Sequence, residues 1–378
     1  MKIIFLTKCV PPVIEGVGEY TYYLVKGLRK LGVDAVIATS DDQAASESWI
    51  KPVIKKWEPV FISEALSNLN ADWIVLQYSP PLYGKRGLCK PIIDSMVYLR
   101  KKNKCKIAVT FHEINVRADS WKSRFLKWLL DSQAKRLMLH CDAAVGTCSQ
   151  HSKMLSPMNP AIPVKIIPVG ANISLYQSSA AELENLRRKY GIVNKKVLTF
   201  FGRLSGFRNF QTALEVLGEA RRRAMPVCLM VLGCVRTSNP ALFKEFMDRA
   251  VNNGLSQYIV ETGDLDPVQL SNHLQITDIF LFPQTDGIST RNTTVMTAMA
   301  HGLPIICYEP EQGNFDGYQL PYGVLVPKLN EKGFVEAAIQ YSAKGSNSGM
   351  ELLEKQYFAD HFSWEQIAAQ YRELLKNG

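Results

Sequence analysis

Two arginines follow an apolar run in the second half of the chain and have the chemistry to bind a diphosphate. Residues 197–201 have the composition of a buried strand, and Gly202, Arg203 and Arg208 come soon after it. The planar guanidinium fork matches phosphate oxygens, so two such groups at a strand tip suit a diphosphate. Surface salt bridging is the alternative role for these arginines.

A longer polar segment, residues 286–304, predicts a second anion-binding element. It lies between two apolar runs and fits the order strand, polar loop, small-residue helix and strand. Such a loop points backbone N–H groups and the positive end of a helix at a ligand above the strand tips. That arrangement suits a phosphate or diphosphate.

Glycines at two further strand ends would let the backbone approach a ligand. Gly16 and Gly18 lie in the first loop, before a helix whose N-terminus favours anions, and Gly233 follows an apolar run. A nucleotide base or ribose could pack against Gly233. For the first loop, a dinucleotide fingerprint and a purely structural turn are the alternatives. Thr21 in place of the third glycine, and the position of Gly16 nine residues after the strand, oppose the fingerprint.

His112 ends another apolar run and is a candidate for contact with a sugar. Residues 107–111 predict a strand, so His112 and Glu113 stand at its carboxyl end. An imidazole there can hydrogen-bond a sugar hydroxyl or a developing charge. A structural histidine is the alternative, and Glu113 is either its orienting partner or an acid at a helix start.

Motifs for metals and cofactors are weak. Asp264 and Asp266 form an Asp-x-Asp pair, but Asp266 followed by Pro267 favours a helix N-cap and first turn. The eight cysteines show no Cys-x-x-Cys pair and no zinc spacing with histidine. The sequence therefore predicts reduced thiols, no metal site and no cofactor.

Composition and charge bound the class of protein. The 378 residues are 47% hydrophobic and 21% charged, an ordinary globular composition, and the length favours two domains. No apolar run has the roughly 18 residues of a membrane span, and residues 1–7 predict a buried strand rather than a signal peptide.

The net charge of the chain is +9 and is unevenly distributed. Residues 1–180 hold 24 basic and 14 acidic residues, a net charge of +10, so residues 181–378 have a net charge of −1. This surplus permits nucleic acid, a phospholipid surface or an anionic substrate as partner.

A basic amphipathic stretch, residues 121–138, is a candidate membrane surface. Trp121, Phe125 and Trp128 recur at helical spacing among lysines and arginines, as in helices that lie on anionic membranes. A helix that packs on the core gives the same pattern, so both interpretations stay open. The basic residues 100–106 favour a membrane for the region 100–138. No aromatic-interleaved recognition motif supports nucleic acid.

The elements that position these residues alternate between strands and helices along nearly the whole chain. Alternation indicates βαβ units, and two sets of about six apolar runs favour two Rossmann-like sheets. The domain boundary is placed after the turn at residues 168–173, and a terminal amphipathic helix, residues 362–375, has Ser363 as N-cap. Because ligands bind beyond the carboxyl ends of parallel strands, a cleft between two such domains is the expected site.

Together these segments resemble the retaining glycosyltransferases of family 4, which have the GT-B fold. The resemblance covers nearly the whole chain and rests on the order and spacing of several motifs. They are Pro11-Pro12 with Gly16-Val-Gly-Glu-Tyr-Thr21, Thr110-Phe-His-Glu113, Ile167-Pro-Val-Gly-Ala-Asn172, Gly202-Arg203 with Arg208, and Thr277-Asp-Ile-Phe-Leu-Phe-Pro283.

The resemblance implies an α/β protein of two Rossmann-like domains that face each other across a cleft. Residues 1–173 would form the acceptor-side domain with the membrane face, residues 190–358 the nucleotide-sugar domain, and residues 359–378 a helix packing back towards the first domain. The implied reaction moves a sugar from a nucleotide-sugar donor to a glycan or lipid-linked acceptor, with retention of anomeric configuration and without metal.

The resemblance also implies roles for single residues. Arg203 and Arg208 would hold the diphosphate and stabilise the leaving charge. His112 would contact the donor sugar, and Gly16 would approach donor and acceptor closely. The two domains would close over the donor. The other glycines implied at the donor site are Gly18, Gly202 and Gly233.

The chain departs from the family in the donor motif, which usually carries a pair of glutamates. Asp286 stands at the first position as a catalytic candidate, and Thr297 stands at the second, whose glutamate normally grips the donor ribose. Arg208 replaces the usual lysine. The residues expected to take over contacts to the donor, alongside Thr297, are Ser289, Arg291, Thr293 and Thr294.

The sequence therefore predicts a retaining glycosyltransferase in the cytoplasm, peripheral at the inner face of the membrane, that acts in cell-surface polysaccharide or glycolipid assembly. The missing second glutamate motivates one alternative, a GT-B binding or scaffold protein without transferase activity. A sugar-nucleotide epimerase of GT-B fold is the other.

Overall fold

A computed structural model describes residues 1–13, 15–40, 42, 47–67, 69–102, 105–114, 120–202, 210–233, 239–310, 315–344 and 347–377. The chain divides into two compact units. The first unit holds Met1–Gly170 and Ser363–Gly378, and the second holds Ala171–Phe362. Each unit is built on its own parallel sheet, which confirms the prediction of two Rossmann-like α/β domains.

The described part of the first unit contains a seven-stranded sheet in the order β3-β2-β1-β4-β5-β6-β7. The strands are β1 Lys2–Leu6, β2 Asp34–Ser40, β3 Ile50–Ile54, β4 Trp73–Tyr78, β5 Lys106–Phe111, β6 Ala143–Gly146 and β7 Val164–Ile166. The helices are α1 Gly16–Lys30, α2 Pro59–Ser67, α3 Pro80–Tyr83, α4 Lys90–Lys102, α5 Trp121–Met138 and α6 Ser149–Leu155. Strand β3 escaped prediction because Pro52 interrupts it, and proline is tolerated here because β3 is an edge strand.

The second unit contains a six-stranded sheet, over its described residues, in the order β10-β9-β8-β11-β12-β13. The strands are β8 Lys196–Phe201, β9 Val227–Leu232, β10 Ile259–Glu261, β11 Ile279–Phe282, β12 Ile305–Tyr308 and β13 Gly323–Val326. The helices are α7 Ala180–Lys189, α8 Phe210–Arg222, α9 Pro240–Asn252, α10 Pro267–Gln275, α11 Thr293–Ala300, α12 Glu331–Ala343 and α13 Ser348–Phe362. The final helix, α14 Trp364–Asn377, belongs to the first unit.

Two hydrophobic cores hold the sheets, one in each unit. In the first unit Leu76 of β4 and Val109 of β5 are fully buried, and in the second Leu229 of β9 and Leu281 of β11 are buried to the same degree. Central parallel strands are covered on both faces, which explains the near-continuous apolar runs that allowed their prediction.

Helix α14 completes the first unit by packing on α1. A Cβ on Gly27 of α1 would lie 2.8 Å from the carbonyl oxygen of Trp364, so the two helices approach closely at this glycine. Lys30 and Glu365 form a salt bridge at 2.7 Å. The hydroxyl of Ser363 accepts from the N–H of Gln366 at 3.4 Å, in agreement with the predicted N-cap.

No helix in the described ranges is both long enough and apolar enough to cross a bilayer.

Candidate active site

Two glycines of the second unit end neighbouring strands. Gly202 follows β8 with φ of +111°, and Gly233 follows β9 with φ of +81°, in the region that favours glycine. The N–H of Gly233 donates to the hydroxyl of Thr262 at 3.4 Å. The backbone therefore leaves the sheet at adjacent positions on its carboxyl edge, where ligands of parallel sheets bind.

The loop after β11 turns at Gly287 and crosses the end of β12. Gly287 has φ of +78°, and a Cβ there would lie 1.9 Å from the carbonyl oxygen of Glu309. The N–H of Ile288 donates to the carbonyl oxygen of Tyr308 at 3.1 Å. Any side chain at position 287 would push this loop away from the sheet edge.

Two acceptor side chains hold the middle of this loop. Oδ1 of Asn292 accepts from both the N–H and the hydroxyl of Ser289, at 2.7 and 3.1 Å. Oδ2 of Asp316 accepts from the N–H and the hydroxyl of Thr290, at 3.0 and 2.7 Å. The N–H and the hydroxyl of Ser289 therefore both bond to Asn292 within the loop. These bonds fix the backbone just before α11.

The N-terminus of α11 presents positive groups at the carboxyl edge of the sheet. The helix begins at Thr293, and its first N–H groups have no acceptor within the helix. Thr294 is only 8% exposed, and its hydroxyl has no hydrogen-bond partner among the described residues. The Arg291 guanidinium lies 4.0 Å from the Asp286 carboxylate. The helix dipole, Arg291 and the Thr294 hydroxyl together suit an anion.

The other end of α11 is held by a buried hydrogen-bond network. The hydroxyl of Thr297 donates to Oδ1 of Asn172 at 3.2 Å, and Thr297 has no exposed surface. Burial lowers the pKa of His301 to about 4, so its ring is neutral at pH 7. Its Nδ1 lies 2.8 Å from the carbonyl oxygen of Thr297 and its Nε2 lies 2.9 Å from the hydroxyl of Ser271, which accepts from the N–H of Tyr176 at 3.0 Å.

In the first unit, His112 lies just beyond β5 and bonds to Gln77. Its Nε2 is 2.8 Å from Oε1 of Gln77, while Glu113 accepts from the hydroxyl of Ser79 at 3.3 Å. Gln77 therefore orients the His112 ring, and Glu113, which was considered for that role, bonds to Ser79 instead. Burial lowers the pKa of His112 below its usual range, with a smaller effect from His151, so the imidazole is neutral at pH 7.

The first loop combines one crowded and one open glycine. A Cβ on Gly18 would lie 2.5 Å from the carbonyl oxygen of Cys9, whereas a Cβ on Gly16 would meet nothing within 4 Å. The carboxylate of Glu15 caps α1 by accepting from the N–H of Gly18 at 2.7 Å. Gly18 thus has a packing role, whereas a side chain at position 16 would meet open space; the role of Gly16 at the donor site stays a prediction.

Helix α5 has one face in the core and an exposed aromatic row. Leu130 and Leu137 are buried, whereas Trp121, Phe125 and Trp128 are 74%, 57% and 61% exposed. The rings of Phe125 and Trp128 stack with centroids 5.8 Å apart. The C-terminal half of the helix therefore packs on the core, and its N-terminal half leaves apolar surface exposed; membrane binding by this surface stays a prediction.

Some predictions fall outside the described residues. Arg203 and Arg208 are among them, as are residues 103–104 and 115–119 of the basic region. Asp264 and Asp266, the Asp-x-Asp pair, are among the described residues. Asp266 is the N-cap of α10, and its side chain accepts a hydrogen bond from the N–H of Gln269 at 2.8 Å. This confirms the helix-start interpretation of Asp266.

Several residues of the site escaped the sequence analysis. Asn292 lies inside the polar segment 286–304, and its position just before helix α11 was the one sequence signal for a structural role. Asn172, Ser271 and Asp316 reach the segment from other parts of the chain. No spacing rule predicts such partners.

Known proteins resemble part of the second unit in sequence. Residues 195–344 match the family model described as Glycosyl transferases group 1. A stretch of 161 residues is 28% identical to D-inositol 3-phosphate glycosyltransferase of Corynebacterium efficiens and covers 40% of this chain. The match spans 38% of that relative, well under half of its length.

Solved structures match over the full chain. HepE from Anabaena, in complex with UDP and glucose, superposes with a TM-score of 0.72 at 14% identity and full coverage of both chains. Sucrose-phosphate synthase from Thermosynechococcus elongatus gives 0.71 at 16% identity, again over both whole chains. WaaG, a glycosyltransferase of lipopolysaccharide biosynthesis, gives 0.65 at 13% identity over both whole chains. These likenesses confirm the GT-B fold; the assignment to family 4 stays a prediction.

Proposed function

We propose that this chain is a glycosyltransferase that moves a sugar from a nucleotide-sugar donor to a glycan or glycolipid acceptor, with retention of anomeric configuration and without metal. The observation that carries the proposal is the loop after β11, which leads into the N-terminus of α11 inside the region matching Glycosyl transferases group 1. HepE, which has the same fold, is described in complex with UDP and glucose.

The donor diphosphate would bind at the N-terminus of α11. There it would accept hydrogen bonds from the first N–H groups of the helix and from the buried hydroxyl of Thr294, which has no partner in the described structure. Arg291 would add a charge-assisted bond. Arg203 and Arg208 are proposed to grip the same diphosphate and stabilise the charge on the leaving group.

Protein groups alone could balance that leaving charge. A helix N-terminus and guanidinium groups perform the electrostatic work that a divalent cation performs elsewhere. This supports metal independence. Retention, and the contact of His112 with the donor sugar, rest on the resemblance to family 4.

Ribose recognition must differ from the family pattern. Thr297 stands where the family has a glutamate, but its hydroxyl is bonded to Asn172 and its side chain is fully buried. We propose that Thr297 acts from within the fold, by fixing α11. Asp286, half-buried beside Arg291, remains the acidic candidate of the motif.

The acceptor is proposed to lie at a membrane. The exposed row of Trp121, Phe125 and Trp128 can enter the interface between lipid headgroups and chains, while the basic residues Lys122 and Arg124 contact anionic headgroups. This surface, together with a nucleotide-sugar donor, supports the proposal of peripheral binding at the inner face of the cytoplasmic membrane; the role in cell-surface polysaccharide assembly rests on the resemblance to family 4.

The test is product formation from a panel of UDP-, GDP-, ADP- and dTDP-sugars with lipid-extracted acceptors. We expect release of one nucleoside diphosphate, a product anomer of the same configuration as the donor, and full activity in EDTA. Arg203→Ala and Arg291→Ala should reduce release at least tenfold, whereas Arg188→Ala, at an exposed pair with Glu184, should not. Release unaffected by both site variants would contradict the proposed site.

A binding or scaffold protein is the second candidate, and the burial of Thr297 is the observation that favours it. Such a protein would release no nucleoside diphosphate from any donor. A sugar-nucleotide epimerase would instead change the donor sugar without an acceptor, which analysis of the recovered donor detects.

A further inference from the structure

His112 is held by an oxygen atom that can only accept a hydrogen bond. Its Nε2 lies 2.8 Å from Oε1 of Gln77, and an amide oxygen has no proton to give. Desolvation lowers the pKa of the partly buried ring, so the ring is neutral at pH 7, and the Gln77 oxygen places its single N–H proton on Nε2. Nδ1 then carries a lone pair. The imidazole can accept a hydrogen bond from a substrate hydroxyl but cannot donate one through that atom.

The orientation of the Gln77 amide is set by its second partner. Nε2 of Gln77 donates to the hydroxyl of Thr110 at 3.3 Å, across the register pair of β4 and β5. If the amide were turned over, its oxygen would need an O–H···O bond at that 3.3 Å separation, well beyond the usual ~2.7–2.8 Å. The 2.8 Å contact to His112 is an ordinary N–H···O length. Both distances favour the oxygen facing His112.

Helix α14 closes this network from the far end of the chain. The hydroxyls of Thr110 and Tyr371 are 2.8 Å apart, and the hydroxyl of Tyr20 donates to that of Tyr371 at 3.0 Å. The ring of Tyr20 then returns to His112, edge to face, with centroids 4.7 Å apart. Gln77, Thr110 and Tyr371 have no exposed surface, so the hydrogen bonds among these three residues are shielded from water.

We propose that Gln77, Thr110 and Tyr371 are positioning residues that hold His112 in the Nε2–H form, with Nδ1 as the acceptor for a hydroxyl of the donor sugar. The sugar contact rests on the proposed function, in which His112 touches the donor. The tautomer does not rest on it, because the network is complete within the first unit. The site would therefore select a sugar with a hydroxyl that donates at this position.

The first test measures the tautomer without any substrate. The chain has six histidines, so ¹⁵N-histidine labelling of the full protein gives a tractable spectrum, and His112→Gln assigns the signal. At pH 7.5 we expect protonated Nε2 and unprotonated Nδ1. Gln77→Met, which keeps the shape and removes both bonds, should give a mixture of tautomers. A wild-type ring protonated at Nδ1, or a Gln77→Met ring identical to wild type, would overturn the proposal.

The second test measures transfer with Tyr371→Phe, which removes a single hydroxyl. We expect kcat to fall about tenfold while the Kd of the free nucleoside diphosphate is unchanged, because the sugar contact and not the diphosphate is disturbed. Tyr22→Phe is the matched control, since its hydroxyl bonds Glu47 and touches none of these residues. An unchanged kcat in Tyr371→Phe would contradict the positioning role. Absence of transfer in the wild type would instead refute the proposed function. The tautomer test would still show whether Gln77, Thr110 and Tyr371 set the protonation of the His112 ring.

Discussion

The hydroxyl of Thr297 donates to Oδ1 of Asn172 across 125 residues of sequence, at 3.2 Å. The bond ties the middle of α11 to the segment with which the second unit begins. With His301 and Ser271 it forms one buried network along the helix. The proposed diphosphate site at the N-terminus of α11 requires a helix that is fixed in place, and this network fixes it.

Thr297→Val should therefore weaken the protein more than it weakens nucleotide binding. The isosteric change removes the hydrogen bond to the partly buried Asn172, which costs about 0.5–1.5 kcal/mol of unfolding free energy. We expect the Kd of the nucleoside diphosphate to change less than threefold. Urea unfolding and calorimetric titration measure the two quantities. If Thr297 contacted the ribose directly, binding would fall much further than stability.

Gly287→Ala should disrupt the loop that leads into α11. The new Cβ would lie 1.9 Å from the carbonyl oxygen of Glu309, and φ is +78°, so the loop must move. We expect a loss of at least about 2 kcal/mol of unfolding free energy and weaker nucleotide binding. Gly254→Ala is the control, since φ is +65° there but no atom lies within 4 Å of the new Cβ. Equal losses in both variants would show that the contact with Glu309 is unimportant.

The sequence predicted this site in part, for a physical reason. Buried parallel strands are continuous apolar runs, so the loops after them, including residues 286–304, could be placed at the carboxyl edge of a sheet. The partners of those loops could not be predicted. Asn172 and Asp316 reach the loop or its helix through the tertiary fold, and a single sequence carries no signal for such pairs. Thr297 was expected to face a ligand, and only its burial shows that it faces Asn172.

Glu354 should make the protein less stable as the pH rises. It is fully buried on α13, its Oε2 accepts from the N–H of Tyr322 at 2.9 Å, and burial raises its pKa to about 8. The usual pKa of a glutamate is 4.5, so between about pH 4.5 and pH 8 the folded state holds a proton that the unfolded state has lost. The unfolding free energy therefore falls across that window.

Glu354→Gln should remove this fall, because the amide has no proton to lose. We expect the variant to gain stability relative to wild type from pH 5 to pH 8, by an amount on the order of 2–4 kcal/mol. Glu351→Gln, on the same helix in a partly exposed pair with Lys355, is the control. Parallel stability curves for wild type and Glu354→Gln, from urea unfolding at each pH, would show that Glu354 is ionised in the folded state.

Trp121 and Trp128 should mediate binding to anionic membranes. The double change to serine removes two exposed aromatic side chains from α5, so the fold should be unaffected while vesicle binding falls at least tenfold. Binding should also decrease with salt, because basic residues contribute. Co-sedimentation with vesicles of phosphatidylglycerol and phosphatidylcholine measures it. Leu352→Ser, at another exposed apolar residue, is the control. Equal binding by the double variant and the wild type would exclude α5 as the membrane surface.

Calorimetric titration with nucleoside diphosphates tests the donor site most directly. We predict that one base is preferred, that Arg291→Ala raises the Kd at least tenfold, and that Thr294→Val raises it several-fold, because the diphosphate supplies the missing partner of a buried hydroxyl. Arg188→Ala should bind as the wild type does. Failure of every nucleoside diphosphate to bind, or equal binding by all three variants and the wild type, would contradict a diphosphate site at the N-terminus of α11.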